Sequence, residues 1–447
     1  MNYRRTMMPQ SFKTALPVVV MSLLMLGSVK GALADNYSNE WDECNYITMC
    51  SMSAANPTIG SVSTSSPGYG ALNDWRIGDG MADSVDCGTQ AIGAVGLLYG
   101  YSRLSAAGRS NSALDSQAHT ALSAFFWSWV RNGSNQVQGS SVQTGFAATA
   151  SYNTSGGITA MGGGSVPVTA QILIAMRKYC ELSPNSDRAT YQSQEYSLAH
   201  NMANYINANL SSWTIDRSYS VAAFHCLANW ATAVGDTSTA TYYNNQATTV
   251  SGWLAQAQDT GTWHNYFDYL NGGGGGVYNN SNVDQTGFAP YEFNARSGSE
   301  AYAAEVAQWW DFSTAYNGDY LAVQSGRYAG GVHQSVPANA TQAYPGDSFQ
   351  LADAEWKIAD ADGNANNEYA DAWAHYNFAL SPIGSSTGSG CWVNNSSVDG
   401  FVGGFVDWVN NTNGSYPATW QRFIDTSGYM IVATEELEFS NDVNWGN

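Results

Sequence analysis

The sequence predicts an all-α protein built as an (α/α)6 toroid of six helical hairpins. Two observations lead to this fold class. Apolar residues recur with a period near 3.6 in blocks of about 12 to 20 residues, which is typical of amphipathic helices. These blocks also come in consecutive pairs along the chain. Six hairpins close such a ring, and its inner helices then begin at one rim. An irregular helical array is the alternative that the same pattern allows.

The predicted hairpins follow one another along the sequence without a break that would divide the chain. In chain order, they pair 86–104 with 113–130, 166–182 with 192–210, 219–234 with 240–257, 290–303 with 305–316, 352–361 with 367–380, and 398–409 with 428–437. The stretches between them are rich in Gly, Ser, Asn and Thr, and they also contain Trp and Tyr. Loops beyond about 12 to 15 residues are usually functional or disordered. We therefore expect these loops to build a cleft.

The first residues predict a secretory signal peptide over 1–34. Arg4 and Arg5 precede an apolar run over 15–26, and a small-residue Ala-Leu-Ala site follows at 32–34. The predicted mature chain, 35–447, contains no Pro-rich or Ser-rich linker. We expect it to be a single toroid domain with an irregular N-terminal segment. The predicted location is secreted or periplasmic after cleavage of the signal peptide.

Charge and composition limit the classes of partner. The chain has 36 acidic against 16 Lys and Arg side chains, a net charge of −20. Nucleic acid would be repelled at long range, so it is not an expected partner. No later segment has the roughly 20 apolar residues that a spanning helix needs, so we expect no membrane partner either. We predict a soluble monomer. The acidity indicates either solubility alone or a preference for neutral or cationic polymers.

The cysteines and histidines do not indicate a metal or cofactor. Six cysteines lie in the predicted mature chain, an even number that permits disulfides in an exported protein. Cys44 and Cys50 are near enough in sequence to pair, although spacing alone leaves the connectivity open. No second Cys or His pair lies at zinc-ligand spacing, and no HExxH motif occurs. We predict no metal and no cofactor.

Three segments resemble the inner-helix starts of glycoside hydrolase family 8. They are Ile215-Asp216-Arg-Ser-Tyr-Ser-Val-Ala-Ala-Phe224, Asp284-Gln-Thr-Gly-Phe-Ala-Pro-Tyr291 and Asp353-Ala-Glu-Trp356-Lys357-Ile358. A later segment, 426–434, is similar to the family's closing helix. The resemblance covers about the second half of the chain and implies the six-hairpin fold. It also implies inverting hydrolysis of β-1,4-linked glucan, xylan or chitosan.

The resemblance also implies roles for particular residues. Asp353 matches the family's general base, and Lys357, one helical turn later, would favour its ionised form. Capping of a helix is the structural alternative for Asp353. Asp216 matches a contact to the sugar in the central subsite. Asp284 and Tyr291 match the second motif, which places them among the substrate-binding residues.

The family's general acid has no counterpart at the matching position, because the stretch 161–171 contains no Asp or Glu. Asp86, at the start of the first predicted hairpin, is the first candidate for this role. A helix start in an aromatic cleft can raise the pKa of a carboxyl to a useful value. The remaining candidates for the acid are Asp83, Glu292 and Glu300.

Sixteen Trp and 27 Tyr supply flat faces on which pyranose rings can stack. Trp213 and Trp356 lie near predicted helix starts, so we predict that they bind substrate together with Lys357. The sequence thus predicts an exported endo-acting glycoside hydrolase that cuts β-1,4 bonds, with cellulose-like β-glucan as the first substrate. Chitosan and xylan are alternative substrates. A polysaccharide lyase and a glycan-binding protein without activity are the alternative functions.

Overall fold

The structure is a computed structural model of the 447-residue chain. It describes residues 36–53, 62–76, 80–81, 84–109, 111–131, 146–147, 149–152, 158–211, 214–257, 289–290, 292–295, 322–323, 325–333, 341–364, 367–394, 402–416, 421–439, 441 and 443–446. Asp83, Trp213, Asp284, Tyr291 and Glu300, as well as the predicted signal peptide, lie outside these residues.

Five helices form an inner ring. They are α2 (Cys87–Ala106), α4 (Val166–Leu182), α6 (Thr214–Val234), α8 (Pro345–Asp362) and α10 (Ile424–Leu437). Helix α10 packs against α2 and α8, and α4 packs between α2 and α6. Segment 289–295 lies between α6 and α8, because the Phe293 ring is 4.2 Å from that of Tyr219 and the carbonyl of Glu292 accepts from Lys357 Nζ at 2.7 Å. Segment 289–295 therefore occupies the sixth inner position.

The remaining helices pack outside this ring. They are α1 (Asn36–Met49), α3 (Ser112–Ala124, continued by a π-helical turn Phe125–Trp129), α5 (Arg188–Asn209), α7 (Thr237–Ala257) and α9 (Glu368–Ala379). Helix α3 follows and contacts α2, α5 contacts α4 and α6, α7 contacts α6, and α9 contacts α8. This alternation of inner and outer helices confirms the predicted (α/α)6 toroid. Residues 296–321, which cover most of the fourth predicted hairpin, lie outside the described part of the chain.

The sixth predicted hairpin is only half correct. A helix was expected over 398–409, but the described residues 402–410 run extended and end in strand β9 (Val409–Asn410). Gly403 and Gly404 have φ values of +99° and +79°, which a right-handed helix does not contain. The outer partner of α10 is instead α1, at the other end of the chain. The prediction of an irregular N-terminal segment is therefore wrong for residues 36–49.

Small antiparallel sheets lie at the rim where the inner helices begin. The strands are β1 (Trp75–Arg76), β2 (Gly80–Met81), β3 (Ser84–Asp86), β4 (Phe146–Ala147), β5 (Thr149–Tyr152), β6 (Ile158–Met161), β7 (Gly164–Ser165), β8 (Gln342–Ala343), β9 and β10 (Gln421–Arg422). They pair in the orders β10-β1-β2, β3-β5-β6, β4-β7 and β8-β9. Strands β3, β7, β8 and β10 end within two residues of the starts of α2, α4, α8 and α10, respectively. These connections bring the starts of four inner helices to one face.

The inner helices approach each other closely through glycine. A Cβ on Gly428 would lie 2.5 Å from the carbonyl oxygen of Ile92, and a Cβ on Gly96 would lie 2.4 Å from Gly428 Cα. Only hydrogen fits between α2 and α10 at these positions. The interior is otherwise apolar and closely packed, and it also contains all six cysteines as buried free thiols. The disulfides that the even cysteine count permitted are not formed.

Segment 443–446 fills the end of the ring opposite the rim. The carbonyl of Asn444 accepts from Lys178 Nζ at 2.8 Å, and that of Trp445 accepts from Cys226 Sγ at 3.1 Å. Lys178 and Cys226 lie in the C-terminal halves of α4 and α6. The Trp445 side chain is fully buried and its ring lies 5.0 Å from that of Phe293. Segment 443–446 therefore packs into the ring interior from the end opposite the rim.

No helix among the described residues combines the length and apolar composition that would be needed to span a membrane.

Candidate active site

A cavity of about 170 Å³ opens at the rim, between the first turns of α8 and α10. Its lining residues come from these two helices and from the loop that precedes β9. They are Tyr344, Gly346, Asp347, Gln350, Asp407, Phe423, Asp425 and Thr426. Three of the eight are carboxylates, and none is basic. The cavity therefore gathers acidic side chains that lie far apart in the sequence.

Asp347 is the most enclosed of the three carboxylates. Pro345 is the first residue of α8, a position that proline favours, and this places Asp347 in the first turn. A Cβ on Gly346 would lie 3.0 Å from Thr426 Oγ1, so the two helix starts are in contact there. Asp347 is 7% exposed, and its Oδ2 has no hydrogen-bond partner within the described part of the chain. Burial, followed by the charges of Asp425 and Asp407, raises the pKa of Asp347 to about 7.

Asp425 faces Asp347 from the first turn of α10. Its Oδ1 accepts a hydrogen bond from the backbone N–H of Thr426 at 2.7 Å. The preceding residue, Ile424, is fixed by its own N–H, which donates to Asp74 Oδ1 at 2.8 Å. Burial raises the pKa of Asp425 to about 7, and the charge of Asp86 adds to this effect, while the hydrogen bond from Thr426 opposes it.

Asp407 completes the cavity from the extended loop over 402–410. Burial raises its pKa to about 6. Because Asp347 and Asp425 each respond to the charge of Asp407, the three carboxyls titrate as a group near neutral pH. At such a pH some of these carboxyls hold a proton while the others are ionised. A site with one acid and one base can work in this state.

Asp86 lies beside this group but has a structural task. It is the N-cap of α2, and its Oδ1 accepts from Gly88 N at 2.6 Å and from Thr89 N at 3.4 Å. Its influence on the pKa of Asp425 places it at the same rim. It is absent from the cavity lining. The structure thus brings the predicted acid candidate Asp86 near the cavity without placing it inside.

Asp353 lies far from any helix start. The prediction of a helix that begins near Asp353, and of a cap there, is wrong, because α8 begins at Pro345 and Asp353 is in its middle. Asp353 is 2% exposed; its Oδ2 accepts from Lys357 Nζ at 2.8 Å and from Trp445 Nε1 at 3.5 Å. It does not line the cavity. We propose that Asp353 and Lys357 form an ion pair that stabilises the ring interior.

Two other predicted residues also lie outside the cavity lining. Asp216 is in the first turn of α6 and accepts from Ser211 Oγ at 2.5 Å, which places it on the rim. Trp356 points toward α9, where its ring lies 4.5 Å from that of Tyr369 and 6.3 Å from that of Trp373. This contact between helices takes the place of the predicted contact with substrate.

Glu292, a further candidate for the acid, is completely buried in the ring interior. Neither of its carboxyl oxygens has a hydrogen-bond partner among the described residues. Burial, with the charge of Asp353 next in size, raises its pKa well above the usual range. Glu292 therefore lies in the ring interior, and it is absent from the cavity lining.

The sequence interpretation missed Asp347, Asp407 and Asp425. For Asp347 a signal was present, because Pro345 followed by an acidic residue is typical of a helix start. Asp425 directly precedes the segment 426–434 whose helix was recognised. No local sequence pattern predicts the position of Asp407. It lies in an extended loop whose apolar residues have helix-like spacing, so the loop was predicted to be a helix.

The thermal stability of the protein is expected to rise as the pH falls from about 7 to about 5. Burial raises the pKa values of Glu43, Glu355 and Asp347 to about 7, whereas carboxyls in an unfolded chain titrate near about 4. The folded state therefore binds these protons more tightly than the unfolded state does. The stability of the folded state consequently decreases as the pH rises from about 5 to about 7. Calorimetric Tm values across the range check the sign. A Tm that falls steadily on acidification would contradict it.

Several solved structures resemble the whole chain. The cellulase Cel9M of C. cellulolyticium, solved with cellobiose, has a TM-score of 0.53 at 11% identity and covers 92% of this chain and 100% of its own. Glucoamylase from Saccharomycopsis fibuligera has a TM-score of 0.53 at 12% identity, with coverages of 91% and 95%. A sugar epimerase from a ruminal bacterium has a TM-score of 0.51 at 10% identity, with coverages of 92% and 99%.

These likenesses confirm the (α/α)6 fold of the six-hairpin glycosidases, and at such identities they concern the fold alone. No family model matches the chain, and no curated protein matches it. The structures that share the fold thus include a cellulase, a glucoamylase and a sugar epimerase. The chemistry of the cavity must therefore decide between these classes.

Proposed function

We propose that the chain is an exported glycoside hydrolase that cleaves bonds within a polysaccharide, with Asp347 and Asp425 as its acid and base. The observation that carries this proposal is that both carboxylates face one cavity at the rim, with pKa values raised to about 7. Glycoside hydrolysis needs one protonated and one ionised carboxyl on either side of the scissile bond.

The surroundings of the two carboxyls support a division of roles. Asp347 is the more buried, and its Oδ2 has no donor within the described residues, so it is the better holder of the proton. Asp425 accepts the N–H of Thr426, and this hydrogen bond favours its ionised form. We assign the acid role to Asp347 and the base role to Asp425.

In the proposed reaction Asp347 gives its proton to the glycosidic oxygen as the bond to the anomeric carbon breaks. Asp425 removes a proton from the water that attacks this carbon from the opposite face. The water supplies the new hydroxyl of one product, and the leaving group keeps the proton from Asp347. Inversion of the anomeric centre is the expected outcome.

The chemistry of the lining argues against the other classes. A lyase that acts on uronic acids needs a basic group to neutralise the substrate carboxylate, and none of the lining residues is basic. Acid/base work on a free sugar often uses histidine, and no described histidine lines the cavity. A glycan-binding protein without activity would not need carboxyls whose pKa values are raised toward neutral pH. The two-carboxylate reaction uses the groups that the cavity contains.

The proposal is tested by incubating the protein with carboxymethyl cellulose, mixed-linkage β-glucan, xylan and chitosan. New reducing ends without ultraviolet-absorbing unsaturated ends are expected on at least one polymer, and proton NMR of the first product should show an inverted anomer. Interconversion of free mannose and glucose, measured in parallel, reports epimerase activity, and conversion of mannose to fructose reports isomerase activity. Unsaturated products, or sugar interconversion without polymer cleavage, would overturn the proposal.

A further inference from the structure

Two neutral polar side chains in the cavity wall make no hydrogen bond within the described part of the chain. Gln350 is 6% exposed and Thr426 is 7% exposed, and both line the cavity. Among the described residues, no group donates to or accepts from the Gln350 amide or the Thr426 hydroxyl. Buried polar groups are almost always hydrogen-bonded. Both groups are therefore available to a ligand that enters the cavity.

The packing of α8 directs Gln350 toward the cavity. Gln350 lies three residues after Asp347, so the two side chains share one face of the helix. Its neighbours Phe349 and Leu351 are buried in the core, where the Phe349 ring lies 5.2 Å from that of Phe405. These contacts fix the rotation of α8. They hold the Gln350 amide about one helical turn from the proposed acid.

The chemistry of Gln350 and Thr426 indicates the ligand. A cation needs only the acceptors that the carboxyls already supply, and an anion would be repelled by those carboxyls. A sugar hydroxyl both donates and accepts, as do an amide and a hydroxyl. Two adjacent hydroxyls can bond the oxygen and the nitrogen of one amide together. The rings of Tyr344 and Phe423, which also line the cavity, offer apolar faces to the C–H groups of such a sugar.

We propose that Gln350 is a specificity-determining residue whose amide binds the adjacent hydroxyls on C2 and C3 of the sugar whose anomeric carbon reacts. This inference rests on the proposed function. Asp347 acts on the oxygen at C1, and the hydroxyls on C2 and C3 follow along the sugar ring. Gln350 follows Asp347 along the helix face by about 5 to 6 Å. A sugar without one of these hydroxyls leaves the buried amide unpaired, so the cavity selects glycans in which both are free.

The test uses an oligosaccharide of the polymer that is cleaved fastest, and its analogue with hydrogen in place of the C3 hydroxyl of the reacting residue. The C3 position is chosen because it lies farther from the reacting carbon than C2 does. For the wild type we expect kcat/KM to be about 10- to 100-fold lower on the 3-deoxy analogue. Gln350→Leu should lower kcat/KM on the parent by at least about 10-fold and should cleave parent and analogue at nearly equal rates.

Gln194→Leu is the matched control, because it makes the same substitution at an exposed position of the outer helix α5. It should leave both kcat/KM values unchanged. Gln350→Leu should keep the wild-type Tm or exceed it, since it removes an unpaired polar group from the cavity wall.

Three results would overturn the inference while the proposed function stands. The first is equal cleavage of parent and analogue by the wild type. The second is an undiminished preference for the parent in Gln350→Leu. The third is fastest cleavage of chitosan, which has no hydroxyl on C2.

If no polymer is cleaved, the proposed function fails, and calorimetric titration with cellotetraose still tests the contact. An affinity at least about 10-fold lower in Gln350→Leu, with the wild-type affinity kept in Gln194→Leu, supports it. Equal affinities of the two variants, or no binding by the wild type, overturn it.

Discussion

Replacing Asp347 by asparagine is expected to lower kcat for polymer hydrolysis by about 10²- to 10⁴-fold, the usual contribution of a general acid. Asparagine has the same shape but cannot give a proton to the glycosidic oxygen. The variant should keep the wild-type Tm or exceed it. Burial and the charges of Asp425 and Asp407 already favour the neutral form of Asp347, so a neutral side chain suits the folded state.

Reducing-end assays on the most active polymer give kcat, and calorimetry gives Tm. Asp360→Asn serves as the control, since Asp360 is exposed on the same helix and should leave kcat unchanged. The pH profile supplies a second readout, because loss of the acid should abolish the decline in rate at high pH. A variant that keeps more than about a tenth of wild-type kcat would exclude Asp347 as the acid.

Replacing Lys357 by methionine is expected to lower the free energy of unfolding by about 3 to 5 kcal/mol, as when one partner of a buried ion pair is removed. The Lys357 side chain is 10% exposed and the Asp353 side chain 2%. Lys357 Nζ also lies 3.8 Å from Glu436 Oε1. Burial opposes the charge on Lys357, but the charges of Asp353 and Glu436 outweigh it and raise its pKa. Methionine would remove the Lys357 cation from beside both carboxylates.

Chemical denaturation followed by circular dichroism measures this loss. Arg131→Met is the matched control, since Arg131 pairs with Glu195 at 2.9 Å but its side chain is 44% exposed. It should cost no more than about 1 kcal/mol. Adding Asp353→Asn to Lys357→Met should recover part of the lost free energy of unfolding, because it removes one of the two buried carboxylate charges that Lys357 neutralises. A loss below about 1 kcal/mol for Lys357→Met would show that the interior does not depend on this pair.

Much of the fold could be predicted from helical periodicity alone. The boundaries predicted for the second hairpin, 166–182 with 192–210, lie close to α4 and α5, because α4 is apolar and buried on nearly all sides and α5 buries Tyr191, Ala199 and Met202 at helical spacing. The failure at 398–409 has a physical reason. Phe405, Val406 and Val409 are buried at helix-like spacing, but the positive φ values of Gly403 and Gly404 hold this chain extended. The spacing of these buried residues therefore predicted a helix that the backbone does not form.

The candidate site was harder to predict than the fold. Helix α8 begins seven residues before the predicted start at 352, because its first turn, Pro-Gly-Asp-Ser, has the composition of a loop. The predicted helix start therefore lay near Asp353 in the interior instead of near Asp347 at the rim. No sequence pattern relates Asp347, Asp407 and Asp425 to each other, since only packing of α8 on α10 and the path of the 402–410 loop bring them together.

The pairing of α1 with α10 has a consequence for how the protein is made. Helix α1 packs on α10, Glu43 of α1 accepts from Trp392 Nε1 at 2.8 Å across 349 positions of sequence, and Arg103 of α2 binds Glu435 of α10 across 332. A ribosome delivers α1 early, and α1 can pack on α2 and α3 soon afterwards, yet α10, which forms the rest of its packing surface, arrives only with the last tenth of the polypeptide. Until then the ring is incomplete and exposes apolar surface at both of its ends. Such surface can associate with other chains. We expect slow closure and a need for chaperones, because contacts of such long range form late.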